Sequence, residues 1–117
     1  MEQFYPIIIA LAFNGIDLIT GILAALRNKD LDSSRLRDGL FKKVGFILCY
    51  FVAWLVDNEG SMIGFQIDIT ILPIIIIYVC TTELVSILEN ISKINPDILP
   101  EKLMEMFHLF NKDKKYE

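Results

Sequence analysis

Asp17 and Glu83 are carboxylates set inside long apolar runs. A carboxylate at the centre of a membrane-length helix costs on the order of 2.5–3.5 kcal/mol on insertion scales, so it must face protein or water, or be protonated. Asp17 does not stand alone. Ala10, Asn14, Asp17, Gly21 and Ala24 follow one another at steps of 4, 3, 4 and 3, which places them on one helical stripe, with Thr20 beside it. Two readings are open for Asp17: a residue that lines a pore or sets an oligomer, or a carboxyl hydrogen-bonded inside a helix bundle. Glu83 shares a helical face with Thr82, Ser86 and Asn90. It too has two readings, a pore role or a pairing with Lys42 or Lys43.

Other chemistry finds little support. His108 is the single histidine and falls on the polar face of a tail helix, where solvation is the simplest account. Cys49 and Cys80 lie in apolar blocks without CxxC spacing and read as small packed residues. No His, Cys and carboxylate group has metal-ligand spacing, and no Ser/His/Asp set, P-loop or dinucleotide loop occurs. No run is basic and aromatic enough for nucleic acid. No enzyme activity, cofactor or metal is expected.

The elements that must position these residues follow from composition. Of 117 residues 54% are hydrophobic, above the roughly 45–50% of soluble domains. The excess falls in three blocks separated by charged stretches, which indicates an all-α polytopic membrane protein rather than a compact soluble domain. A single membrane domain over 1–117 is expected, with three transmembrane helices and a C-terminal amphipathic helix. Glu2 stands where a cleaved signal needs basic residues, so the first block is expected to remain in the mature chain.

The first span is expected from about Tyr5 to Leu26, roughly 30 Å of helix, with the polar stripe as a seam for helix association. A loop at 27–39 follows. Across Arg27 to Lys43 six basic residues, Arg27, Lys29, Arg35, Arg37, Lys42 and Lys43, face three aspartates. Asp32-Ser33-Ser34 offers N-cap side chains for the second helix, which enters the membrane near Leu40, with Lys42 and Lys43 snorkelling to the interface. The second span, about 40–56, carries Gly45, Cys49 and Ala53 as a small-residue packing ridge, with Tyr50 toward its far end and Trp54 placed for the aromatic belt.

A connection at 57–68 bears Asp57, Glu59 and Asp68 and no basic residue. Phe65 to Ile71 alternates like a strand, but an isolated strand cannot cross lipid with its backbone unsatisfied, so an extended or interfacial lead-in is expected. Thr70 is a candidate cap and Pro73 belongs in the first turn of the third helix, about 69–90. A tail at 96–117 follows, with Leu99, Leu103, Met106, Phe107 and Phe110 as the apolar stripe of a helix from Pro100 to about Lys112.

With three spans, all eleven Lys and Arg residues fall on one side. The positive-inside rule then gives N-terminus out and C-terminus in. A four-span arrangement would place the C-terminal lysines outside, against the same rule.

These residues also carry a family resemblance. Asp17-Leu-Ile-Thr-Gly-Ile22 followed by Ala25, then Ser33-Ser34, Gly39-Leu-Phe-Lys-Lys43, a hydrophobic run ending in Asp57, and Glu83-Leu-Val-Ser-Ile-Leu-Glu-Asn90 before a proline-containing tail occur in an order and spacing that resembles the phage holins of the family that includes clostridial toxin-secretion holins. The likeness extends from about residue 5 to 110. It departs at Asn95, where a glycine is expected, though Asn also tolerates the left-handed cap conformation. The dual-start device of some holins finds no second Met near Met1.

The resemblance implies a protein of the bacterial cytoplasmic membrane that forms homo-oligomers in the lipid bilayer and opens lesions at host lysis. Endolysin would be a functional partner without implied direct contact, and release of a toxin is a variant the residues do not separate. Asn14, Asp17 and Thr20 would line water on opening. From a different class, a small structural or regulatory subunit of a larger membrane complex would pack through the same stripes. An ion-coupled transporter is disfavoured because three short spans offer no repeat.

Overall fold

The computed structural model describes residues 4–66, 68–103 and 105. Three long helices, α1 (Tyr5–Arg27), α2 (Ser33–Glu59) and α3 (Leu72–Ile94), form an up-down-up bundle in which a short 3-10 turn, Gly60–Ile63, extends α2. All three are long and apolar enough to cross a membrane. Among the described residues there is no strand, and of the alternating stretch 65–71 the described residues, 65–66 and 68–71, form an irregular connection. Most of the amphipathic tail helix expected from Pro100 to Lys112 lies outside the described residues, of which 101–103 and 105 are helical.

Each boundary has a local cause. Pro6 sits in the first turn of α1, where its missing N–H costs nothing. The helix closes on Asn28, whose backbone N–H and side-chain Nδ2 both donate to the Ala24 carbonyl. Lys29 takes a left-handed φ of 54°. Its N–H reaches Leu26 O at 3.3 Å, and the Asp30 N–H reaches Ala25 O at 2.8 Å. Those two bonds make a Schellman ending, with lysine where glycine is usual. Asp32 then caps α2, its Oδ1 accepting from the Ser34 N–H at 2.9 Å.

The start of α3 departs from expectation. It begins at Leu72, with Pro73 in the first turn, and Thr70 does not cap it. Asp57, at the far end of α2, supplies the cap instead. Its Oδ1 accepts from the Ile71 N–H and its Oδ2 from the Leu72 N–H, each at 2.7 Å. One carboxylate thus ties the exit of α2 to the first turn of α3, where the helix dipole favours negative charge. At the other end Asn95 is extended (φ −153°) rather than left-handed. Pro96 disfavours helical backbone at the residue before it, so the helix stops without a glycine-type cap.

α1 and α3 run parallel and pack closely, and α2 lies antiparallel against both. The apolar core (Ala10, Tyr50, Ala53, Leu72, Ile76 and Val79) occupies the half of the bundle nearest the α2–α3 connection. Outside, Ile8, Ile9, Ile16, Ile19, Phe41, Leu48, Phe51, Ile74 and Ile77 stand exposed. An apolar exterior of this extent suits a protein surrounded by lipid.

Candidate functional site

Lys43, Asp17 and Glu83 meet where the three helices converge. Each stands ten or eleven residues from the end of its helix on the side of the 28–32 loop. That distance is roughly 15 Å along the axis, near the middle of a span. The α2 residues that face inward are Lys43, Phe46, Tyr50, Ala53 and Asp57, spaced 3, 4, 3 and 4 apart. This phase, rather than proximity to the interface, directs the Lys43 stem inward.

The Lys43 ammonium donates to Asp17 Oδ2 at 2.8 Å and to Glu83 Oε2 at 3.0 Å. Asn14 Nδ2 donates to the same Glu83 oxygen at 2.9 Å, and the Tyr50 hydroxyl donates to Asn14 Oδ1 at 2.8 Å. On the other flank Asn90 Nδ2 donates to Asp17 Oδ1 and to Thr20 Oγ1, each at 3.1 Å. Side-chain exposure is 11% for Lys43, 13% for Asp17 and 1% for Glu83, so water provides little of their solvation. A charge-assisted network of this kind takes the place of that water, and losing one member leaves the others buried and unpaired.

A cleft of about 260 Å³ leads from the basic-loop end of the bundle down to this network. Asp30, Arg35 and Lys93 stand at its mouth, and Asp17 and Lys43 lie at its inner end. Toward the opposite end the apolar core closes the bundle, and a separate pocket of about 190 Å³, bordered by Val56, Asp57, Ser61, Phe65 and Thr70, lies at the α2–α3 connection.

The placement of the other expected residues is uneven. Ala10, Asn14 and Ala24 are buried, and a side chain added at Gly21 would touch Asn90 Nδ2 at 3.5 Å, so the α1 stripe faces α3 within the subunit. Gly45 and Cys49 are exposed, with nothing within 4 Å of a Cβ at Gly45; Ala53 alone of that ridge is buried. Lys43 departs from snorkelling, whereas Lys42 does stay outside, 5.7 Å from the Phe46 ring centre. Arg27, Lys29 and Arg37 are exposed, and Arg35 forms a solvent-exposed ion pair with Asp30 at 3.0 Å.

The model of the bacteriophage holin family matches residues 3–112. The chain belongs to the bacteriophage holin family. No curated protein and no solved structure matches it. Holins are membrane-pore proteins rather than enzymes, and three membrane-length helices with an apolar exterior accord with that membership. The holin fold here brings Asn14, Asp17, Thr20 and Glu83 into one network with Lys43.

Two members, Tyr50 and Asn90, were not among the residues expected to form the site, although Asn90 shares the helical face of Glu83. Tyr50, assigned to the far end of its span, is 2% exposed at the centre of the bundle. Asn90 bridges Asp17 and Thr20. The signal that would have found Tyr50 is its seven-residue spacing from Lys43, two turns along the same helix face. Trp54 stacks on Phe4, with ring centroids 6.1 Å apart, beside the start of α1.

Proposed function

We propose that this holin accumulates in the bacterial cytoplasmic membrane, assembles into homo-oligomers and forms lesions that release endolysin, or a toxin, at host lysis. The N-terminus lies outside and the C-terminus inside, as the one-sided distribution of Lys and Arg favours. The observation that carries the reading is a three-helix ionic network at mid-span in a chain whose outer surface is apolar. While the helices stay together, Lys43, Asn14 and Asn90 satisfy the carboxylates. When they part, Asp17, Asn14 and Thr20 exchange helix partners for water and line the lesion. The Gly45–Cys49 surface, open on the single chain, then forms the face along which neighbouring copies approach.

Induced expression in a bacterium tests this. Membrane potential should collapse, and cells that also contain a cytoplasmic endolysin should lyse. Intact potential at high membrane levels of the protein would contradict the lesion-forming role.

A further inference from the structure

The geometry points to a water-filled half-channel in the closed subunit, running from the basic-loop face to mid-membrane and stopped there by a dry apolar plug. Three observations carry it. The cleft offers about 260 Å³, many times the roughly 10–15 Å³ that one water requires. Its lining is mixed: Asp17, Lys43, Asn90 and Ser86 supply hydrogen-bonding groups and Gly21 and Gly39 leave space, beside the apolar Leu18, Ile22 and Leu36. Water is retained in a cavity of that chemistry, whereas an apolar cavity stays dry.

The third observation is charge. Two carboxylates meet one ammonium at the inner end, and of the three Asp17 and Lys43 keep a small exposed part on the cleft, as ionisable side chains at this depth face either one another or a water-filled cavity. Beyond Lys43 the character changes within two turns. Tyr50, Ala53, Ile76 and Val79 close the bundle with almost no exposed surface. Passage across the closed subunit is thus blocked only over the half away from the basic loop, and opening has to breach that plug rather than the whole span. The inference deepens the lesion reading by naming the inner part of its path, yet it requires only that the chain span a membrane.

Cysteine accessibility tests it in the full-length protein. Cys49 and Cys80 are replaced by alanine, and single cysteines are placed at Ser86, Gly39, Ile19, Ile76 and Arg37. Sealed vesicles that retain an entrapped dye are then treated from either face with a charged, membrane-impermeant thiosulfonate. Arg37→Cys, on an exposed site, reports which face bears the basic loop. Ser86→Cys and Gly39→Cys should react from that face about tenfold or more faster than Ile19→Cys, which faces lipid, because the thiolate that reacts forms where water is present. Ile76→Cys in the plug should stay as slow as Ile19→Cys from both faces.

Gly39→Cys enters open space and keeps the test valid if Ser86→Cys misfolds. Slow labelling at both cleft positions while Arg37→Cys reacts would overturn the half-channel, as would fast labelling at Ile76→Cys or labelling of the cleft from the opposite face. Because these vesicles hold their dye, none of these outcomes depends on lesion formation. Failure of the lesion reading would appear separately, as intact potential in expressing cells.

Discussion

The Lys43 ammonium lies 2.8 Å from Asp17 Oδ2, joining α2 to α1 in the middle of the bundle, and reaches Glu83 on α3 with a second bond. Among the described residues, it is the one basic side chain that bridges all three helices. Neutralising it should therefore cost more than removing an exposed ion pair. Lys43→Met leaves two carboxylates facing each other, and a buried pair broken on one side costs about 3–5 kcal/mol. Thermal unfolding of the purified protein in detergent should show a marked loss. Adding Asp17→Asn and Glu83→Gln should return most of it, since the neutral set can still hydrogen-bond. No recovery in the triple variant would mean that Lys43 acts through packing alone.

Tyr50→Phe removes the hydroxyl that Asn14 Oδ1 accepts from, with almost no change in volume. Polar contacts between membrane helices average about 0.6 kcal/mol. The expected outcome is a loss of about 1 kcal/mol or less, with helix content unchanged by circular dichroism. A loss as large as that of Lys43→Met would make Tyr50, not the ion network, the main tie of α2.

Asp57→Ala uncaps α3 from a distance. The Ile71 and Leu72 N–H groups lose their acceptor, and a lost cap costs about 0.5–2 kcal/mol. Amide hydrogen exchange should quicken in the first turn of α3, while the basic-loop end is unaffected. Asp57→Asn should fall between, since one amide oxygen can accept from only part of the pair.

Lys29→Gly goes the other way. A non-glycine residue in the left-handed region costs about 1–2 kcal/mol, and the Lys29 side chain is exposed. Glycine there should raise thermal stability by about 1 kcal/mol, offset in part by the greater freedom of the unfolded chain. A lower melting temperature would show that the lysine side chain contributes to the loop.

Much of the architecture was legible from the residues. Three apolar blocks gave three membrane-length helices, Asp32 marked the start of α2, and the spacing of Ala10, Asn14, Asp17, Gly21 and Ala24 gave the inward face of α1. What the residues could not supply was level and phase between helices. A pairing of Glu83 with Lys42 or Lys43 was one reading of the residues, but which lysine turns inward, and that Asp17 stands at the same height, came only from the helix packing. Asp57 caps backbone groups fourteen and fifteen residues away, a relation outside any local window. Gly45 and Cys49 have the spacing of a packing ridge, but the inward phase of α2 runs through Lys43 and Tyr50 and leaves that ridge outside.

The timing of lesion formation bears most directly on the claim that the Lys43–Asp17–Glu83 network keeps the bundle closed. The interval between induction and collapse of membrane potential is to be read with a potential-sensitive dye in cells making equal membrane levels of the wild type, Asp17→Leu, Lys43→Met, or Lys43→Met with Asp17→Asn and Glu83→Gln. The account predicts a shifted onset for Asp17→Leu, an earlier onset for Lys43→Met and a delay restored toward wild type in the triple variant. The same onset in all four proteins would contradict it.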